Sequence, residues 1–201
     1  MKRTVLAASL GVAVLLAGCS DKIVEKVTVG SGKITGTTTE TIVLDSSAKP
    51  LTASSVLAKL KKVAPKDSFT VKQHGKRGVI ITDHYTRTFA QFNNGIIEGY
   101  QTDFTDTGLD ISKAETDSTG PQVKQTATST TVAWKISAAE KKQLAEYAPI
   151  LKQNASLISG TITITLPGSI TKLTGSAKKA SKNSFTFTST NFGAFSVTAT
   201  R

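Results

Sequence analysis

The segment from Ile158 to Leu166 sets the strongest constraint on the fold. Ile162, Ile164 and Leu166 alternate there with Thr161, Thr163 and Thr165. Side chains on an extended strand point to opposite faces with a period of two, so this is a strand with one apolar face. The Thr-rich stretch from Ile34 to Leu44 is β-branched throughout and favours a strand as well. Between Gln122 and Ile136, Val132, Trp134 and Ile136 again alternate toward one face. Chains built on such segments form sheets, and the apolar side of each sheet must be covered.

Turn signals divide the rest. Val27-Thr28-Val29, Gly30-Ser31-Gly32 and Lys33-Ile34 read as a β-hairpin. Phe69-Thr70-Val71 and Val79-Ile80-Ile81 form two strands around Gly75-Lys76-Arg77-Gly78. A further strand is predicted from Ile96 to Phe104. Phe185-Thr186-Phe187 and Phe195-Ser196-Val197 are predicted as the last two. Residues 105–121 are polar and Gly/Pro-punctuated and read mostly as loop, while residues 86–96 fit one helical turn ending near Gly95, or a loop.

Two helices are predicted. Val56, Leu57, Leu60 and Val63 make one apolar stripe after Thr52, and Pro65 stops it. Ser137-Ala138-Ala139-Glu140 is a capping box. The helix it opens is expected to bury Leu144, Tyr147, Ala148 and Leu151 and to end or kink at Pro149. The expected fold is therefore α+β: a single domain over residues 27–201, with a twisted, mostly antiparallel sheet of about eight to ten strands and two helices packed on one face.

The N-terminus reads as an address. Lys2 and Arg3 precede an apolar run from Val5 to Leu16, the pattern of a signal peptide. That run is too short for a comfortable transmembrane helix, which needs ~20 apolar residues. It ends in Leu16-Ala17-Gly18-Cys19, which resembles the lipobox of bacterial lipoproteins. The resemblance implies removal of residues 1–18 and lipidation of Cys19. Residues 19–26 would then hold the lipidated Cys and a short tether, or the start of the first strand. Cys19 is the only cysteine, so the chain has no intrachain disulfide and no Cys-rich zinc site. The expected location is the outer face of the cell membrane, with the anchor at the N-terminus.

Two stretches resemble the LppM-type lipoprotein domain, an actinobacterial extracytoplasmic family. They are the opening hairpin, residues 27–36, and the closing block Thr161 to Ile170 with Gly175 and Phe185-Thr186-Phe187. The resemblance implies a lipid-anchored surface protein with an α+β domain that handles lipids or glycolipids. It carries over no catalytic residues.

Candidate sites follow from charge and apolar clustering. Lys and Arg number 25 against 14 Asp and Glu. Lys59, Lys61, Lys62, Lys66, Lys72, Lys76 and Arg77 form a basic segment suited to an anionic lipid surface or wall polymer, or simply a solvated face. Phe89, Phe92, Ile96 and Ile97 form an apolar cluster that reads as the lip of a lipid groove or as ordinary core. Phe192 and Phe195 near the last turn carry the same two readings. Asp103 to Asp110 holds oxygen ligands near a Gly but lacks the spacing of a calcium loop. Asp83-His84 suggests an acid–base pair, yet no nucleophile motif accompanies it. No enzyme activity, cofactor, metal or nucleic-acid partner is expected. The leading expectation is a membrane-anchored lipoprotein whose domain binds or presents an amphiphilic envelope lipid or glycolipid. The rival is a structural or interaction module docking on an envelope protein or anionic wall polymer, with no small ligand.

Overall fold

The computed structural model describes residues 20–47, 49–63, 69–94, 96–105, 108–117, 120–188, 191 and 193–201. The hairpin at Gly30-Ser31-Gly32 is present, and its strands are long: β1 is Ser20–Val29 and β2 is Lys33–Val43. The Gly30 amide donates to the Lys33 carbonyl at 2.8 Å, and Gly32 takes a φ of 75°, which only glycine adopts readily. Residues 20–26, read from sequence as a short tether or the start of the first strand, are the first part of β1. They pair with β2 on one side and with β9 (Ile158–Thr165) on the other, so their backbone groups are satisfied within the sheet.

After β2 come helix α1 (Ala53–Val63), β3 (Phe69–His74), β4 (Gly78–Thr88) and the short helix α2 (Phe89–Asn93). Thr52 caps α1 through a bond from the Ser55 amide to Oγ1 at 3.2 Å. Thr88 caps α2 in a reciprocal capping box with Gln91, so residues 86–96 do hold one helical turn.

Strands β5 (Ile96–Thr105) and β6 (Gly108–Asp117) form a hairpin where the sequence reads mostly as loop from 105 onward. Polarity misleads here, since a two-stranded ribbon can leave much of its surface to solvent. The single strand expected over 122–136 is two: β7 (Gln122–Gln125) and β8 (Ser129–Trp134). The turn between them has neither Gly nor Pro. It is closed by the Thr126 side chain, which accepts from the Ser129 amide at 3.1 Å.

Helix α3 (Ala138–Gln153) runs through Pro149 rather than ending there. Pro149 and Ala145, whose carbonyl it deprives of a partner, are both exposed, so water can take that bond. Side chains of Leu144, Tyr147 and Leu151 lie outside the described residues, and Ala148 is half-buried. The chain closes with β9, β10 (Ser169–Gly175), β11 (Lys178–Lys179), β12 (Ser184–Thr188) and β13 (Phe195–Thr200).

The described strands make three sheets rather than the one expected, and three helices accompany them. The large sheet has seven strands in the order β11-β12-β9-β1-β2-β4-β3. All its pairs are antiparallel except β1 with β9. A four-stranded sheet runs β10-β13-β8-β7, and β5-β6 stand as a pair.

Among the described residues one face of the large sheet is covered, and it is covered twice. At one end Val27, Val29, Ile34, Ile164, Phe185 and Phe187 meet Val132, Phe195, Val197 and Ala199 of the four-stranded sheet. Phe185 and Phe187 pack on Phe195 with ring centroids 5.5 and 5.1 Å apart. At the other end Ile42, Val79 and Ile81 meet Val56 and Leu60 of α1, with Ile111 of β6 joining them. The apolar stripe predicted for α1 is the one buried, with Leu60 fully enclosed.

Candidate functional site

Strand register sorts charge between the two faces of the large sheet. Paired residues in neighbouring strands share a face, so the register assigns each side chain to the inner, covered face or to the outer one. Asp21 and Glu25 on β1, Glu40 on β2 and Asp83 on β4 all fall on the inner face, in register with the apolar core positions. Lys22 and Lys26 on β1, Lys33 on β2 and Lys72 on β3 all fall on the outer face.

The outer face is dominated by threonine. One row across the strands reads Thr165, Thr28, Thr35 and Thr86. The next reads Thr186, Thr163, Lys26, Thr37 and His84. A third reads Thr188, Thr161, Val24, Thr39, Thr82 and Thr70. All fifteen of these are exposed or half-buried, so no layer of the described residues buries them, while Ser184, which pairs with Thr165 at the end of the first row, is buried. Threonine suits this position: its β-branch stiffens an extended backbone, and each cross-strand Thr pair adds roughly 0.2–1 kcal/mol.

A shallow concavity of 330 Å³ lies on this face. Lys26, Thr28, Thr35, Thr37, His84 and Thr86 line it, with Gly36 and Tyr85. Thr37 Oγ1 and His84 Nδ1 are 3.0 Å apart and hydrogen-bonded, which fixes the imidazole against the sheet. The arrangement offers hydroxyls and a lysine ammonium, so it suits a hydroxylated, negatively charged group.

No protein-family model matches this chain, and no curated protein does. Among solved structures it is similar to the NMR structure of the folded domain of LppM from Mycobacterium tuberculosis. The match has 8% identity and a TM-score of 0.44 over 90% of each chain.

The inner face beneath the concavity is a polar seam between the two cores. The Tyr85 hydroxyl donates to the Glu25 carboxylate. The Tyr85 ring lies directly over Gly36, where a Cβ would fall 2.0 Å from Cζ, so any larger residue at that position forces the ring to move. The Arg87 guanidinium sits 4.3 Å from the Tyr85 ring centroid. Burial pushes Asp21 up to about 7. Burial also raises Glu25, partly offset by the Tyr85 hydrogen bond and by Arg87. Oδ1 of Asp21 and Oδ1 of Asp83 are buried without a hydrogen-bond partner among the described residues.

The residues singled out from sequence are dispersed. Leu16, Ala17, Gly18, Cys19, Lys66 and Phe192 lie outside the described residues. Lys59, Lys61 and Lys62 are exposed on α1, which covers the inner face. Lys72 is on the outer face, Lys76 is in the β3–β4 turn, and half-buried Arg77 donates to the Asp45 carbonyl at 3.3 Å. The basic segment is thus split between opposite sides of the large sheet. Phe89 and Phe92 are half-buried on α2 against the sandwich core, and Phe195 is part of that core. Ile96 and Ile97 are in β5, with side chains outside the described residues.

Asp83 and His84 do not form an acid–base pair. They are consecutive on β4 and therefore point to opposite faces. Asp103 and Asp110 are cross-strand partners in the β5–β6 hairpin, not successive positions of a loop. Among the described residues no cluster of three or more His, Cys, Asp or Glu could hold a metal ion. Among them, too, no helix is long and apolar enough to cross a membrane. Sequence reasoning missed Lys22, Lys26 and the threonine rows. The alternation that creates them was visible strand by strand, but their alignment depends on pairings between distant segments.

Proposed function

We propose that this chain is a membrane-anchored bacterial lipoprotein whose domain binds the anionic, hydroxyl-rich headgroup of an envelope lipid or glycolipid. The observation that carries this reading is the concavity of Lys26, Thr28, Thr35, Thr37, His84 and Thr86 on an uncovered sheet face. Its lining offers one cation and several short hydroxyls, with no carboxylate to repel an anion. The lipobox signature Leu16-Ala17-Gly18-Cys19 supports a position at the membrane surface, where such headgroups are concentrated. Cys19 immediately precedes β1, so the anchor leads straight into the strand that carries Lys26. The candidate groove at Phe89, Phe92, Ile96 and Ile97 is not needed for headgroup binding.

Native mass spectrometry of the full chain, extracted from host membranes in mild detergent, tests the reading. An adduct of lipid mass that is lost on denaturation and absent from Lys26→Glu supports it. A bare protein mass before and after incubation with host lipid extract contradicts it.

A further inference from the structure

The concavity occupies a small part of the outer face. Threonines continue past it along β9 and β12, and Lys178 on β11 ends the second row. Across the seven strands the register places fourteen threonines and five lysines on this face. No Asp, Glu, Phe, Tyr or Trp falls on it. Adjacent strands are ~4.8 Å apart, so six steps span roughly 29 Å. Each step is comparable to the length of one sugar ring.

We propose that this face is a docking track for a linear anionic polysaccharide lying across the strands. Three properties point to that occupant. The charge is of one sign, since the sheet's carboxylates all face inward and its outer lysines have no acid among them. The hydroxyls are short and β-branched, so they lose little rotamer freedom when they bond to a sugar hydroxyl. The surface also twists: at about 20–25° per strand pair, its ends are rotated by on the order of 120° relative to one another. A flexible chain can follow that twist, whereas a planar bilayer can touch only part of it. The face also lacks the aromatic anchors by which proteins hold to membrane interfaces and the aromatic core of a protein–protein contact; its apolar residues are Val24, Val43 and Ile80, scattered among the threonines.

The track shares the concavity with the headgroup reading but reaches well beyond it, and the two can fail separately. The test uses the full chain in neutral detergent and four probes: polygalacturonate, galacturonate monomer, neutral dextran, and phosphatidylglycerol vesicles. Binding of polygalacturonate is expected to strengthen with chain length. It should weaken on the order of 10–100-fold between 50 and 200 mM salt. Dextran should not bind measurably.

The variant Thr163→Val with Thr186→Val and Lys178→Glu lies outside the concavity and keeps the β-branched surface. It should lower polygalacturonate affinity at least about fivefold, with an unchanged melting temperature and an unchanged lipid adduct. Lys26→Glu should lower both the polymer affinity and the adduct. Equal binding of polymer and monomer would overturn the track. So would vesicles that bind as tightly as the polymer and displace it, which would make the face a lipid surface. A triple variant that binds the polymer as wild type does would also overturn it.

Discussion

On β2, Ile34, Glu40 and Ile42 are buried under the covering layers, while Thr35, Thr37 and Thr39 stand on the uncovered side. The two faces are made by alternate residues of the same strands, yet they hold opposite chemistry. The inner face carries most of the apolar residues and all of the strands' carboxylates. The outer face carries mostly hydroxyls and lysines, with Val24, Val43 and Ile80 among them. Stability is thus concentrated on one side of a sheet only one residue thick. The other side is exposed or half-buried, and its side chains stabilise the strands only through cross-strand pairs of roughly 0.2–1 kcal/mol each.

Breaking the inner face should have the largest effect. Phe185 is fully buried and packs edge-on against Phe195. Phe185→Ala is expected to lose about 3–5 kcal/mol of stability in urea unfolding. Gly36→Ala comes next. Its new Cβ meets the Tyr85 ring, which must move and release Glu25. The expected loss is about 1–3 kcal/mol, read as a lower unfolding midpoint.

The buried carboxyl of Asp21 sharpens the comparison by its pH dependence. Its ordinary value of 3.8 is raised to about 7 in the folded protein, so the folded state holds that proton more tightly than the unfolded chain. The stability it contributes is complete below pH 3.8 and is lost as pH rises through about 7. Glu25, also raised by burial, acts in the same direction. Asp21→Asn should match wild type near pH 4 and exceed it by about 3–4 kcal/mol near pH 8. Thermal melts at the two pH values check this.

The outer face supplies the smallest effect. Thr39→Val keeps the strand shape and removes one hydroxyl. It should change stability by less than about 0.5 kcal/mol. A loss as large as that of Phe185→Ala would mean the outer face is structural after all.

Local structure was largely legible in the sequence. The Gly30–Gly32 hairpin, the stripe of Val56 and Leu60, and the alternation from Thr161 to Leu166 each follow from residues within a few positions of one another. Other turns gave weaker signals. The Thr126–Ser129 turn is closed by side-chain hydroxyls rather than by Gly or Pro, so β7 and β8 read as one strand. The site was not legible because it depends on register. Thr28, Thr35 and Thr86 become neighbours only when β1, β2 and β4 pair, and Thr163 joins Lys26 only through the parallel β1–β9 contact. Proximity in sequence misled in the same way. Lys61 and Lys72 looked like one basic face but lie on opposite sides of the sheet.

Lysine footprinting tests the assignment of the binding face most directly. The full chain would be labelled with an amine-reactive reagent in the presence and absence of host envelope extract, and each lysine read by peptide mass. Protection of Lys22, Lys26 and Lys178, with Lys61 and Lys62 of α1 remaining reactive, is the expected result. Protection confined to Lys61 and Lys62, or uniform labelling of all five, would contradict a binding role for the outer face.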